Sequence, residues 1–342
     1  MSDIRTPFGP TYPVDMARSH LTLAALATSA VADLDLVGAQ SFGSPGGDFD
    51  AALLTGRDGR HWVIRVPRSE RAEQEQSADL IALRALSAGV RARLPFTVST
   101  FAGQVPIDGT RAVVSEFVYG SKVPLGSMTI ELAASIGSAV AAIHALPPNV
   151  VIDAGLPAQS PVESLRAVVA VMDRAAATGL VPAALLSRWE RASEEATLWQ
   201  FTPAVINGAL SSDSFLSAND DVTGMLGWHA LRVGDPAADL QWLAGASLDV
   251  ADSAFAAYSR VRGAVDRQLR QRASLLSELE VAKWLLHGTE TRSTEVVDDA
   301  VGMLSALVDE TQRDLMNPIG GPQVPLGVTE VEALLERTSR LR

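Results

Sequence analysis

The sequence predicts an α+β fold with two lobes, a small N-lobe built on an antiparallel sheet and a larger, mainly helical C-lobe. Three observations support this prediction. The chain has 342 residues, more than one hydrophobic core usually serves. Short apolar and β-branched runs are concentrated between residues 34 and 120. Beyond residue 128, apolar residues recur mainly at helical spacing. A ligand is expected between the lobes, because pockets favour such interfaces.

The N-lobe is predicted at residues 34–120, with an inter-lobe connector at its end. It follows an N-terminal extension and helix at 1–33, whose helical part begins near residue 14. Within the lobe, strand-like runs bounded by turn residues cover 34–40, 48–56, 60–66 and 111–120. The charged segment at 70–88 has helical spacing and is predicted to be the one helix of this lobe.

The C-lobe is predicted at residues 121–315. Its first helix covers 129–147, since a threonine precedes it as an N-cap and a proline ends it. Further helices are predicted at 161–178, 182–199, 236–246, 249–262, 266–287 and 296–315. A strand–loop–strand segment at 203–228 interrupts them. Residues 316–342 are predicted to be a Pro/Gly-rich linker and a C-terminal tail.

Composition excludes several functional classes. Forty acidic and 28 basic residues give a net charge of −12, which argues against nucleic-acid partners and anionic membrane surfaces. The absence of cysteine excludes a disulfide scaffold, a thiolate metal site and a cysteine nucleophile. The first residues lack the apolar core of a signal peptide, and the apolar stretches are too short for a membrane span. We therefore expect a cytoplasmic protein without a membrane partner.

A glycine-rich turn, "SFGSPGGD" at 41–48, joins the first two predicted strands. Glycines there could bring backbone N–H groups close to a phosphate, which makes Ser44, Gly46 and Gly47 nucleotide-binding candidates. The same residues are also those of an ordinary hairpin turn. The turn lacks the Lys-Ser ending of a Walker loop, so that motif is excluded.

A basic side chain on the third predicted strand is a second candidate. Kinases with two lobes hold nucleotide phosphates with a strand cation paired to a helical carboxylate. Arg65 is such a cation, and Glu75 or Asp79 on the following helix is its expected partner, with the register open. Glu116, at the end of the last strand before the connector, completes the nucleotide-binding candidates. The alternative is a surface arginine on an alternating strand.

The loop "NGALSSDSF" at 207–215 is small and polar but has one carboxylate and no histidine. Its serines lack the G-x-S-x-G context of an activated nucleophile. His229, beside Trp228, could act in proton transfer, although a lone histidine without a partner is more often structural. His144 lies within an alanine-rich helix and is predicted to pack there.

Several segments, in this order, resemble the aminoglycoside/macrolide phosphotransferase family over about residues 20–315. "GRHWVIRVPRS" resembles the third strand of the macrolide branch, where arginine often replaces lysine. "IGSAVAAIHALP" resembles the helix that leads to the catalytic region, and "VTGMLGWHALRVGDPAADLQWL" resembles the metal-binding strand and the Gly-Asp-Pro turn after it. The resemblance implies a protein-kinase-like fold and, in active members, ATP or GTP with Mg²⁺ as the cofactor.

The positions that carry the family's chemistry have changed. Its catalytic loop reads approximately His-Gly-Asp-x-x-x-x-Asn, which places Asn207, Ala209 and Ser214 at the histidine, catalytic aspartate and asparagine. The metal-binding aspartate falls on Gly227. Ala209 cannot accept a proton and Gly227 offers no ligand to a hard cation. The sequence therefore predicts a pseudokinase with little or no phosphotransfer, no intact catalytic residue and no metal site.

Two other functions remain open at this point. An active but divergent small-molecule O-phosphotransferase could use Asp213, on the same loop, as a substitute base. Alternatively, the chain could be a protein-binding or assembly module that forms a homodimer through residues 316–342. Both the pseudokinase and the active phosphotransferase would bind a small-molecule ligand in the inter-lobe cleft. In the pseudokinase, nucleotide binding is doubtful.

Overall fold

The computed structural model of the chain describes residues 18–44, 46–263 and 266–313. Its strands in these ranges are β1 (Leu36–Ser41), β2 (Phe49–Gly56), β3 (His61–Pro67), β4 (Thr97–Val98), β5 (Phe101–Ile107), β6 (Thr110–Glu116), β7 (Ala204–Ile206), β8 (Phe215–Ala218), β9 (Asp221–Met225) and β10 (Arg232–Gly234).

The helices in the described residues are α1 (His20–Ala30), α2 (Glu70–Ala85), α3 (Ala88–Arg91), α4 (Ile130–His144), α5 (Asn149–Ile152), α6 (Pro161–Ala177), α7 (Ala183–Glu194), α8 (Leu248–Arg262), α9 (Leu269–Thr291) and α10 (Thr294–Arg313). Short 3₁₀ turns occur at Leu125–Ser127, Ala196–Trp199, Ser212–Ser214, Pro236–Asp239 and Gln241–Gly245.

The N-lobe is an antiparallel sheet in the order β1-β2-β3-β6-β5. Helix α1 covers one face with Leu23 and Ala27, which pack among the buried side chains of β2, β3 and β6. The helix approaches so closely that a Cβ on Gly103 would overlap the carbonyl of Ala30. Because side chains alternate along a strand, Arg65 projects from the opposite face, toward the rest of the molecule. The predicted antiparallel N-lobe is confirmed.

Strand β5 was not predicted from the sequence. It pairs with β6 through a two-residue turn at Asp108 and Gly109, whose φ values of 46° and 81° are positive. An Asp-Gly turn with both φ values positive matches the right-handed twist of two antiparallel strands. The Asp-Gly pair was therefore an available signal for this hairpin.

The C-lobe has two hydrophobic clusters. One joins α4 and α8 to the short strands β7 to β10, and the helices touch where Gly137 meets the backbone of Ala254. The second joins α6, α7, α9 and α10 around the fully buried Trp189. The mainly helical C-lobe is thus confirmed, and with it the two-lobed α+β fold. No helix in the described ranges is long and apolar enough to cross a bilayer.

The helix predicted at 236–246 is wrong, since this segment forms two 3₁₀ turns. Asp235 accepts a hydrogen bond from the backbone of Ala237 at 2.9 Å and pairs with Arg272. Asp239 is committed to the loop after β7. The bonds of Asp235 to Arg272 and of Asp239 to the loop are tertiary, and they hold the segment in short turns instead of a continuous helix. The predicted linker and tail at 316–342 lie outside the described residues.

Candidate functional site

The loop after β7 is held in place by a buried carboxylate. Asp239 is fully buried and accepts hydrogen bonds from the backbone N–H groups of Asn207 and Gly208, both at 2.7 Å. His144 Nε2 lies 3.1 Å from the same carboxylate. Charge-assisted hydrogen bonds of this kind are roughly twice as strong as neutral ones. The backbone at Asn207 and Gly208 is therefore fixed.

His144 extends this anchor into the core of the C-lobe. Its Nδ1 lies 2.9 Å from the Tyr258 hydroxyl. Burial raises the pKa of Tyr258 to about 12, so the hydroxyl keeps its proton and can donate it to Nδ1. A carboxylate in a hydrogen bond can only accept, so Nε2 carries the proton that is shared with Asp239. His144 packs within α4, as predicted, and also positions the loop.

Asn207 joins the two altered positions. Its side chain is fully buried, its Nδ2 donates to the carbonyl of Gly227 at 2.8 Å, and its Oδ1 accepts from the backbone of Ala209 at 3.2 Å. Residues that lie 20 positions apart along the chain are thereby held side by side. The structure brings together Ala209 and Gly227, which the sequence resemblance places at the catalytic base and the metal ligand.

The side chains at this place do not fit a magnesium ion. Ala209 and Gly227 are exposed and offer no oxygen. The hydroxyl of Ser214 accepts a hydrogen bond from the backbone of Ser211 at 3.1 Å and is committed to its own turn. Asp213 is exposed in that turn. Mg²⁺ requires several oxygen ligands in near-octahedral geometry, and no cluster of three potential metal ligands occurs within the described part of the chain.

Two glycines in the site differ in what they could accept. Gly208 has a φ of +86°, and an added Cβ would overlap the guanidinium of Arg232, so only glycine fits. Gly227 has a φ of +75°, but an added Cβ would meet nothing within 4 Å. Asp and Asn tolerate this left-handed region better than other residues with side chains. The space at residue 227 could therefore hold an aspartate.

Asp79 connects the two lobes at the edge of this site. Its carboxylate accepts a hydrogen bond from the backbone N–H of Trp228 at 2.6 Å, next to Gly227, and lies 3.8 Å from Arg65 Nη2. Glu75, one turn earlier, pairs instead with Arg71 at 2.8 Å. The structure therefore assigns Asp79 as the partner of Arg65, a choice that the sequence left open.

The other candidates lie at varying distances from this centre. The glycine-rich turn is closed by a hydrogen bond from the Gly47 N–H to the Ser44 carbonyl at 3.1 Å, and Gly46 has a φ of +76°. Phe49, which follows this turn, stacks 5.2 Å from the Arg65 guanidinium, so the turn borders the cleft. Glu116 pairs with Arg60, on the face of the sheet that α1 covers. Glu116 is therefore separate from the site. His229, the other histidine considered for proton transfer, is exposed.

We expect Asp79→Ala to lower the free energy of unfolding by about 1–3 kcal/mol, because the backbone N–H of Trp228 loses an ionised acceptor. Glu75→Ala is the matched control on the same helix, and its exposed pair with Arg71 should contribute less than about 1 kcal/mol. Urea denaturation followed by tryptophan fluorescence measures both values. Equal losses in the two variants would contradict the role assigned to Asp79.

The chain is similar to a known family and to several solved structures. The profile of the phosphotransferase enzyme family matches residues 42–276. A macrolide 2'-phosphotransferase from Brachybacterium faecium, solved as the apoenzyme, has a TM-score of 0.69 and 22% identity over 83% of this chain and 97% of its own. A type I macrolide 2'-phosphotransferase has a TM-score of 0.66 and 24% identity over 83% and 95%.

An aminoglycoside phosphotransferase solved with GDP and kanamycin is similarly related. Its TM-score is 0.66 and its identity 20%, over 84% of this chain and 98% of its own. At these identities the structural matches establish the shared, kinase-like fold. No curated protein matches the sequence significantly.

Proposed function

The chain belongs to the phosphotransferase enzyme family, and on that premise we propose that it is a pseudokinase similar to the aminoglycoside and macrolide phosphotransferases, with little or no ATP-dependent phosphotransfer. One observation carries this proposal. Asn207 holds the backbone at Ala209 and Gly227 together, and neither residue has a side-chain oxygen. The backbone at these two positions is held in place, but no side chain there can accept a proton or bind a metal ion.

Phosphoryl transfer depends on positioning and on charge neutralisation by metal ions, with little covalent chemistry left to the protein. Loss of a positioned base alone typically reduces the rate by about 10²–10⁴-fold. The loss of a carboxylate ligand for the metal acts on the same step. The scaffold, in contrast, is complete, because Asp239 anchors the loop and Asp79 joins the lobes. This combination supports ligand binding in the cleft without turnover.

An active enzyme that uses Asp213 is the competing proposal. Asp213 is an exposed carboxylate on the same loop, four residues after Ala209, in a turn closed by reciprocal bonds between Ser211 and Ser214. It would have to reach the attacking hydroxyl from that turn. The proposed assembly role of residues 316–342 lies outside the described residues and is tested by comparing the oligomeric state with and without that segment.

The test of the proposed function is thermal unfolding with ATP and with GTP, each with and without Mg²⁺. A ligand that binds only the folded state at 100 times its Kd stabilises it by about 2.7 kcal/mol. Because the oxygen ligands are missing, we expect that Mg²⁺ adds nothing to any shift produced by the nucleotide alone. The aminoglycoside phosphotransferase related by fold serves as the positive control. A Mg²⁺-dependent shift, or a phosphorylated product from hydroxylated antibiotics, would overturn the proposal; loss of that product in Asp213→Ala would then favour the active enzyme.

A further inference from the structure

A surface groove of about 420 Å³ lies between α8 and the start of α9. Its floor is apolar, because the half-buried ring of Phe255 and the buried side chain of Leu269 line it beside the exposed Ala256. Ser259, which follows on the same face of α8, is exposed in the same wall. The groove shares no residue with the altered loop, so its role is a separate question.

The rim of this groove carries a positive charge without an acidic partner. Arg267 is exposed, and no carboxylate lies within ion-pair distance of its guanidinium in the described part of the chain. The neighbouring carboxylates are committed, since Asp252 pairs with Arg270 and Asp266 with Arg272, both at 2.5 Å. In a chain with a net charge of −12, acidic segments are the abundant complement to such a rim.

The chain leaves α10 beside this groove. The indole of Trp284 on α9 donates to Asp299 on α10 at 2.9 Å, and the two helices are antiparallel neighbours joined by a short turn. Arg313, the last residue of α10, comes 14 residues after Asp299, and Arg270 comes 14 residues before Trp284. The end of α10 therefore lies level with the first turn of α9, which forms one wall of the groove.

The length of the following chain permits contact with the groove. Residues 314–327 lie between α10 and a last segment at 328–342, which is called the terminal segment below. Fourteen extended residues span up to about 46 Å, at about 3.3 Å each. This reach is several times the diameter of one helix, about 10 Å.

The terminal segment has a pattern complementary to the groove. Val331, Leu334 and Leu335 recur at helical spacing, so a helix would place them on one face. Glu332 and Glu336 are four residues apart and would flank that face one turn from each other. An apolar face edged by carboxylates matches an apolar floor edged by an arginine.

We propose that the terminal segment docks into the groove of its own chain as an amphipathic helix, with its apolar face on Phe255 and Leu269 and its glutamates at Arg267. Helix-in-groove binding of this kind depends on anchors at i, i+3 and i+4. Attachment through a short linker gives the segment an effective concentration in the millimolar range, so weak contacts suffice. The proposal goes beyond the pseudokinase assignment and differs from the homodimer considered above, because the groove and the segment belong to the same chain.

The test uses two introduced cysteines, which are the only thiols because the chain has none of its own. One variant carries Ser259→Cys in the groove and Thr338→Cys, seven residues after Val331 and on the same helical face. The matched control combines Thr338→Cys with Ser305→Cys, an exposed position about 12 Å before the end of α10. With glutathione disulfide as oxidant, we expect the groove pair to form its disulfide at least about tenfold faster, because docking raises the effective concentration of the thiol.

Charge reversal then tests the assigned contacts. Arg267→Glu in the groove pair should reduce the tenfold preference by about threefold or more, and Glu332→Lys with Glu336→Lys in that background should restore it. Arg93→Glu, the same change at an exposed arginine near the N-lobe, should leave the preference unchanged. Thermal unfolding confirms that each variant is folded. Equal rates for the groove pair and the Ser305 pair, a preference indifferent to Arg267→Glu or not restored by the lysines, or a disulfide that joins two chains would each overturn the proposal.

Discussion

Replacing Asp239 by alanine is expected to lower the free energy of unfolding by about 3–5 kcal/mol, in the range found when one partner of a buried charged network is removed. The carboxylate is fully buried and accepts hydrogen bonds from Asn207, Gly208 and His144. Its loss leaves the buried donors of Asn207 and His144 and the partly buried N–H of Gly208 without this acceptor, and an unsatisfied buried donor costs free energy. The loop at 207–209 should also become more mobile, since it would then be held by the Asn207 side chain and by one long hydrogen bond from Arg232 to the Gly208 carbonyl.

Urea denaturation measures the stability, and amide hydrogen exchange of Asn207 and Gly208 measures the loop. Asp213→Ala is the matched control, because that carboxylate is exposed on the same loop and its removal should cost less than about 0.5 kcal/mol. The loss of stability in Asp239→Asn should lie between those of Asp239→Ala and Asp213→Ala, since an amide retains one oxygen acceptor. A loss below about 1 kcal/mol in Asp239→Ala, or unchanged exchange at the loop, contradicts the anchoring role.

The fold was predictable because its elements follow local periodicity. The alternating pattern at 60–66 and the capped run at 129–147 correspond to β3 and α4, as each depends on residues a few positions apart. Where tertiary bonds decided the conformation, the prediction failed. In the sequence, Asp235 looks like an ordinary turn residue or helix N-cap and Asp239 like a residue of the first turn after it. Asp235 does cap the turn, but it also pairs with Arg272 of α9, and Asp239 binds the loop after β7.

The site was predictable only in part, because contacts between distant segments of the chain bring its residues together. Ala209 and Gly227 gained significance from resemblance to a family, since no spacing argument singles out an alanine or a glycine. The bond from Asn207 to Gly227 and the bond from Asp79 to Trp228 join segments 20 and 149 residues apart. Glu75 and Asp79 lie one helical turn apart, so periodicity offered both as partners of Arg65.

Restoring both carboxylates, with Ala209→Asp and Gly227→Asp together, is expected to produce Mg²⁺-dependent ATP turnover at about 10²–10⁴ times the rate of the parent chain. The backbone at both positions is already held by Asn207. Residue 227 has open space for a side chain; its φ of +75° strains any residue other than glycine, but Asp and Asn occur at positive φ more often than most residues with side chains. Ala209 is exposed, so a carboxylate there would remain hydrated and ionised until a ligand binds.

The matched control is the pair Ala209→Asn and Gly227→Asn, which adds the same volume and hydrogen-bonding capacity without negative charge. It should remain independent of Mg²⁺, because an uncharged amide is a weaker ligand for a hard cation than a carboxylate. Release of ADP and the Mg²⁺ dependence of thermal unfolding are the two measurements. If the folded aspartate variant shows neither, then Ala209 and Gly227 do not stand where the family places its base and metal ligand. If it shows both, the parent chain lacks turnover because two side chains are missing, and the surrounding framework still positions them for phosphoryl transfer.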